Sequence, residues 1–180
     1  MASPGDIIVL KPDSSTDLQG SGQINIPGAN LTHGVRLSEM PSYTITTEFD
    51  ITRPVTPGIG NATIHPVVCK LTVDQSTVDA FKCLVAGINL QNVSIWKLTT
   101  TGSTLKVFTR VVLSNTFIEE WSVSFDTNLD RITGEGLQAS YTFVCNAITQ
   151  IINATDSDGN PTGSDGSEVQ PGIQTSQQSS

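Results

Sequence analysis

Apolar and polar residues alternate through much of this 180-residue chain. The clearest runs cover 43–52, 67–74, 117–125 and 137–146. A period of two places apolar side chains on one face of a β-strand and polar ones on the other, so each run predicts a half-buried strand. Glu119 interrupts the third run, because it stands where an apolar residue is expected.

The pattern predicts further strands around these runs. Residues 92–99 and 105–113 are predicted to pair as a hairpin that turns at Thr100–Ser103. Shorter strand candidates lie near 6–10, 23–26 and 31–37. Strands at this density, separated by turns rich in Gly, Pro and Asn, indicate an all-β sandwich or barrel.

One segment has helical periodicity, and it predicts a single helix over 76–86. Ser76 is the predicted N-cap, and Asp79 follows three positions later, as in a short capping box. Gly87 stands where a left-handed residue ends a helix. We expect the helix to pack on the sheet through an apolar face. That predicted core face consists of Val78, Phe81, Leu84 and Val85.

The segment 53–61 is too long and too rich in Pro and Gly for a tight hairpin, so it predicts an extended, projecting loop. The loop consists of Arg53, Pro54, Val55, Thr56, Pro57, Gly58, Ile59, Gly60 and Asn61.

Composition divides the chain into a β-domain, 1–152, and a tail, 153–180. The tail has almost no large apolar residues, so it cannot bury enough surface to offset its ordering entropy, and we expect disorder. The net charge is −8, and half of that excess lies in the tail. A negative chain lacks the clustered cations that bind nucleic acid or an anionic membrane. No apolar run reaches the ~20 residues of a membrane span.

The sequence contains no recognisable constellation for catalysis. Its two histidines, His33 and His65, fall in or beside predicted strands and match no nucleophile or metalloprotease motif. The three cysteines, Cys69, Cys83 and Cys145, are odd in number, have no close pair and fit no zinc spacing. We therefore predict a protein that is not an enzyme and needs no cofactor or metal.

Several stretches of the chain resemble one known family. Val67–Gly87 resembles a strand, a D-x-S-S/T sequence and an amphipathic helix that occur in this order in the haemolysin-coregulated protein (Hcp) family, the tube subunits of bacterial type VI secretion. Val93–Leu113 and Ser114–Phe125 are similar to the hairpin and the strand that follow. Ile148–Gly163 resembles the closing D-x-D-G-x-x-x-G stretch. The family's Pro-Thr-Glu run is absent at 131–136, so the chain looks like a divergent member.

The resemblance implies a small β-barrel of about nine strands with one flanking helix. It implies hexameric rings that stack into a tube through the loop 53–61. The implied partners are further copies of the chain, the sheath, spike-tip and baseplate proteins of the machine, and effector cargo in the lumen. It also implies assembly in the bacterial cytoplasm followed by export. The N-terminus shows no signal-peptide pattern, so we expect export without a cleaved signal.

Two alternatives stay open at this point. Tail-tube proteins of phages and phage-like contractile injection systems share the fold, so the machine that would use this subunit is not decided by sequence. A carbohydrate-binding or adhesive β-sandwich belongs to a different class and would need exposed aromatic residues. The chain has only two Trp and two Tyr, mostly on apolar strand faces.

Overall fold

Strands account for most of the described residues, and one helix interrupts them. The computed structural model describes residues 6–13, 16–26, 29–50, 58–101, 104–125, 137–155 and 161–169. The strands are β1 (Ile7–Pro12), β2 (Asn25–Ile26), β3 (Ala29–Asn30), β4 (Val35–Leu37), β5 (Ile45–Asp50), β6 (Gly58–Ile64), β7 (Val67–Thr72), β8 (Val93–Thr101), β9 (Thr104–Ser114), β10 (Phe117–Phe125), β11 (Leu137–Val144), β12 (Ala147–Thr155) and β13 (Pro161–Val169). Helix α1 (Gln75–Ala86) lies between β7 and β8. The predicted all-β class with one helix is confirmed.

Two antiparallel sheets form the body. The larger has the order β13-β12-β9-β8-β1-β4, and the smaller has the order β10-β11-β7. The amide of Ser38, just after β4, donates to the carbonyl of Lys70 in β7 over 2.8 Å, which links the two sheets at one edge. Among the described residues, β2–β3 and β5–β6 form separate two-stranded ladders.

The main core cluster draws on both sheets and on α1. Its largest fully buried members include Leu10, Leu71, Ile95, Tyr141 and Phe143. A second cluster lies on the opposite face of β1 and β8 and contains Val9, Ile26, Leu31 and Leu98. Strand β1 is therefore buried on both faces, which explains why its sequence IIVL is continuously apolar instead of alternating.

A β-bulge accounts for the irregular position of Glu119. The pairing of β10 with β11 shifts register between Ile118 and Glu120. The extra residue changes the parity of the strand, so buried Ile118 and the core-packed Trp121 and Val123 all belong to the inner face. Glu119 is exposed.

The predicted disorder of the tail is wrong for the residues that extend the larger sheet. Strand β13 pairs with β12 from Ile148↔Val169 to Ala154↔Gly163, and Asn153–Thr155 belong to β12. The composition of the tail shows only that its side chains bury little surface. A strand at a sheet edge can be held by backbone hydrogen bonds to its neighbour instead. The tail segments 156–160 and 170–180 lie outside the described residues.

The predicted loop is also shorter than its sequence indicates. Gly58–Asn61 belong to β6, which pairs with β5 through Phe49↔Ile59 and Asp50↔Gly58. Glycine has no side chain to mark a face, so the alternation that would have indicated a strand is hidden there. Arg53–Pro57 lie outside the described residues.

Candidate assembly surfaces

Helix α1 is fixed at both ends by its own sequence. The Asp74 carboxylate accepts from the Ser76 amide at 2.8 Å, and the Thr77 hydroxyl accepts from the Asp74 amide at 3.3 Å, which completes a capping box. At the other end Gly87 has φ +62° and its amide donates to the Leu84 carbonyl over 3.2 Å. The N-cap is Asp74, two residues before the predicted Ser76, and the helix begins at Gln75, one residue before the predicted start.

The inner face of α1 is made of small side chains. Ser76, Thr77, Ala80 and Cys83 are buried. The Ser76 and Tyr141 hydroxyls lie 2.9 Å apart, and the Tyr141 hydroxyl donates to Thr77 Oγ1 over 3.3 Å. Burial raises the pKa of Tyr141, so its phenol stays protonated and able to donate.

The outer face of α1 carries the large apolar residues, and the predicted core face is therefore wrong. Val78, Phe81 and Val85 are 58%, 48% and 70% exposed, whereas Leu84 alone of the predicted four packs against the core. Their spacing of three and four residues aligns them along one side of the helix. We call Val78, Phe81 and Val85 the outer stripe.

The outer stripe lies beside strand β10. The ring centroids of Phe81 and Trp121 are 5.3 Å apart in an edge-to-face arrangement. The indole nitrogen of Trp121 donates to the Thr77 carbonyl over 3.0 Å, which holds the helix to the strand. The ion pair of Lys82 with Asp79, at 3.5 Å, is the charged neighbour of the stripe on the helix.

A second exposed apolar surface lies on the larger sheet. Phe108 and Ile152 are 38% and 45% exposed and belong to the neighbouring strands β9 and β12. Ile152 pairs with Thr109 on β9, and the register of β9 with β8 skips Phe108 between Val107 and Thr109, so the usual alternation does not send the Phe108 side chain to the opposite face. The Lys97 ammonium lies 5.2 Å from the centroid of the Phe108 ring. We call Phe108 and Ile152 the sheet patch.

The β5–β6 hairpin is closed at its base by contacts between its own two arms. The His65 amide donates to the Thr44 carbonyl over 3.0 Å, and the His65 ring nitrogen Nε2 lies 3.0 Å from the Thr46 hydroxyl. The Tyr43 hydroxyl donates to the Gln150 side chain on β12. Among the described residues neither β5 nor β6 pairs with a further strand.

The candidate chemical residues do not form a reactive site. His33 lies exposed in a turn at φ +61°, far along the chain from the Thr46 contact of His65. All three cysteines are free thiols; burial raises the pKa of Cys69 and Cys83, and raises that of Cys145 to about 11. The described residues include no group of three His, Cys, Asp or Glu side chains that could hold a metal.

A cleft of about 350 Å³ on the larger sheet is lined by side chains that already have partners. The Arg110 guanidinium stacks 4.3 Å from the centroid of Trp96 and pairs with Asp13 at 3.2 Å. The Lys11 ammonium donates to the carbonyls of Asn30 and Thr32 over 2.8 and 2.9 Å. These contacts make the cleft a structural cluster. In the part of the chain that the structure describes, no helix has the length and apolarity of a membrane span.

Comparison with protein-family models and with curated proteins finds no match. Solved structures do match. A type VI secretion system protein superposes with a TM-score of 0.68 at 15% identity, over 89% of this chain and 93% of that chain. Hcp1 from Salmonella typhimurium gives 0.64 at 10% identity, over 91% and 95% of the two chains. The chain has an Hcp-like fold.

A third structure supports the same conclusion. Hcp1 from the E. coli EAEC 042 pathovar gives a TM-score of 0.59 at 15% identity, over 91% of this chain and 98% of that one. The resemblance predicted from Val67–Gly87 and its neighbours is therefore confirmed as a likeness of fold. Sequence identities this low show the Hcp-like fold alone.

Proposed function

We propose that this chain is the structural subunit of an inner tube in a bacterial type VI secretion system, where it assembles as stacked hexameric rings. The observation that carries the proposal is the outer stripe of α1. Three large apolar side chains on the only described helix stay exposed to solvent in the monomer, where they do not stabilise the fold. Apolar surface of this kind marks a contact with another protein.

A second copy of the chain is the partner that fits best. Closed rings need a head-to-tail contact between two different surfaces of the same subunit. The outer stripe and the sheet patch are two such surfaces, because one lies on α1 and the other on β9 and β12. In the proposed ring the stripe of one copy packs against the sheet patch of the next.

Stacking is assigned to the β5–β6 hairpin and the segment Arg53–Asn61. The base of the hairpin is anchored to β12 through Tyr43 and Gln150, whereas its strands pair only with each other among the described residues. A hairpin held at one end can reach the adjacent ring. In this proposal the sheath, spike-tip and baseplate proteins contact the finished tube, which is exported with the device.

Sugar binding is less well supported by the aromatic residues. A sugar-binding face needs open aromatic rings, but Arg110 covers Trp96 at 4.3 Å and Phe81 packs against Trp121 at 5.3 Å.

The stripe is tested by one charge placed on it and the same charge placed beside it. Val85→Asp puts a carboxylate on the most exposed stripe residue, whereas Ala86→Asp puts one on the next exposed residue, which points about 100° away around the helix. We expect rings from the wild type and from Ala86→Asp, and monomers from Val85→Asp, by sedimentation velocity and negative-stain microscopy. If Val85→Asp still forms rings, the outer stripe is not part of the ring interface. A monomeric wild type would contradict the proposed function.

The stacking role is tested separately. Replacing 53–57, the part of the segment that precedes β6, by an Asn-Gly turn should leave ring mass unchanged and abolish tubes and secretion, because the pairing of β5 with β6 is kept and only the proposed contact between rings is shortened. Long tubes from this variant would show that the segment does not stack rings. Loss of the rings themselves would show that its role is lateral.

A further inference from the structure

Strand β13 is unusual because it has almost nothing to bury. Its nine residues read PTGSDGSEV, with a single large apolar residue at the very end. Pro, Gly and Asp are depleted in strands, because they pack poorly on a pleated sheet or weaken the backbone ladder. The pairing with β12 is also interrupted by a register shift between Ala154 and Thr155.

The backbone ladder alone holds such a strand weakly. The net free energy that one ladder hydrogen bond contributes is of the same order as the free-energy cost of ordering one residue. Without apolar side chains these two quantities nearly cancel. Strand β13 should therefore open far more readily than the strands that carry the core.

The neighbouring strand β12 is apolar and firmly held. Strand β12 reads AITQIINAT, contains no ionisable residue and pairs with β9 from Ala147↔Ser114 to Ile152↔Thr109. Ile148 is buried in the main core, so β12 remains in place when β13 leaves. The edge that is then uncovered is long, uncharged and rich in isoleucine, which is the kind of edge that recruits another strand.

We propose that β13 is a displaceable strap, and that the edge of β12 which it covers binds strand β10 of a second copy of this chain. The inference rests on the proposed self-assembly and specifies its strand contact. Strand β10 has nine residues, as β12 has, and among the described residues it pairs with β11 alone.

Two further observations favour β10 as the occupant. Strand β10 exposes Glu119 and Glu120, and β13 contains Asp165 and Glu168 with no basic residue. Acidic strands that pair side by side repel each other. Strand β10 of a second copy is therefore disfavoured at the outer edge of acidic β13, and it is favoured at the edge of uncharged β12 once β13 has left.

The strand contact also agrees with the apolar surfaces. The outer stripe lies beside β10 through the contact of Phe81 with Trp121, and the sheet patch includes Ile152 of β12. Pairing β10 of one copy with β12 of another brings the stripe toward the patch. Displacement of β13 thus exposes the edge of β12 for backbone pairing, and this pairing aligns the outer stripe of one copy with the sheet patch of the other.

A reversible lock tests the strap in the full chain. Thr149 and Glu168 are directly paired, so a Thr149→Cys, Glu168→Cys variant should form a disulfide between β12 and β13. Native Cys69 and Cys83 are buried, and the high pKa of Cys145 keeps its thiol protonated near neutral pH, so interference is small. Native mass spectrometry then follows the ring fraction against protein concentration in the oxidised and reduced states.

We expect the reduced variant to assemble like the wild type, and the oxidised variant to need at least about tenfold more protein, because the competent state is withheld. The single variant Thr149→Cys under the same oxidation is the control and should behave like the wild type. A second lock, Asn153→Cys with Ser164→Cys, should give the same result, so that a local distortion is not mistaken for locking. Equal assembly of oxidised and reduced protein would overturn the strap and leave self-assembly standing. Failure of the wild type to assemble would overturn the proposed function and the strap together.

Discussion

Strand β7 and helix α1 are consecutive in the chain, but they differ in which apolar side chains they bury. Strand β7 buries Val67, Cys69 and Leu71 completely. Helix α1 buries Ala80 and Cys83 and exposes the larger residues of the outer stripe. In the strand the large apolar side chains mark the core, whereas in the helix those other than Leu84 lie on the side turned away from it.

The difference arises from the space available under each element. Strand β7 faces the interior between the sheets, where large side chains fill the volume. The inner face of α1 meets the rings of Tyr141 and Trp121 at hydrogen-bond distance through Ser76 and Thr77. Only small residues allow the helix backbone to approach so closely. Exposed apolar residues on such a helix are therefore available for a partner.

Paired truncations in β7 and α1 should give the largest difference. Leu71→Ala removes a fully buried side chain and should lower the free energy of unfolding by about 2–5 kcal/mol. Phe81→Ala removes a larger side chain that is half exposed but contacts Trp121, and should cost about 1–2 kcal/mol in the monomer. Urea denaturation at concentrations below assembly measures both. Equal losses would mean that the stripe is part of the core.

Overpacking the inner face tests the close approach directly. Ala80→Leu adds volume at a fully buried position and should destabilise the fold by about 1–3 kcal/mol. Ala86→Leu adds the same atoms at an exposed position of the same helix and should change stability by less than about 0.5 kcal/mol. If both variants melt at the wild-type temperature, the helix is not pressed against the sheet.

The cap of α1 should contribute a smaller amount. Asp74→Ala removes the acceptor for the Ser76 amide and for the Ser21 amide and hydroxyl at 3.2 and 3.3 Å, and should cost about 1 kcal/mol. Asp79→Ala removes the 3.5 Å pair with the exposed Lys82 and should cost less than about 0.5 kcal/mol. Thermal melts of both variants, measured side by side, compare the two carboxylates. A larger loss from Asp79→Ala would contradict the cap.

The thiols should give the smallest effect at neutral pH. Burial raises the pKa of Cys145 from 9.0 to about 11, so the folded chain holds this proton more tightly than the unfolded chain. The associated stability is present below pH 9 and is lost as the pH rises from 9 toward 11. Cys145→Ser should flatten this decline in urea melts across that window. An unchanged decline would assign it to other groups.

The sequence alone determined the elements whose signals are local. The alternation in 67–74 and 137–146 became β7 and β11, because a two-faced strand shows its buried side directly in its period. The limits of α1 follow from Asp74–Thr77 and Gly87, since caps are made by neighbours in the chain. The stretch Val67–Gly87 indicated the Hcp-like fold because its strand, cap and helix follow one another directly in the chain.

Only the tertiary structure decided which way α1 faces and where the ladders end. The helix direction depends on Trp121 and Tyr141, which are distant in sequence and leave room for Ala80 but not for Phe81. Strand β13 and Gly58–Asn61 are held by backbone pairing with β12 and β5, a force that no side-chain pattern records. The bulge at Glu119 likewise follows from the register with β11. Each of these features depends on a partner strand or ring, and a period read along one segment contains no information about its partner.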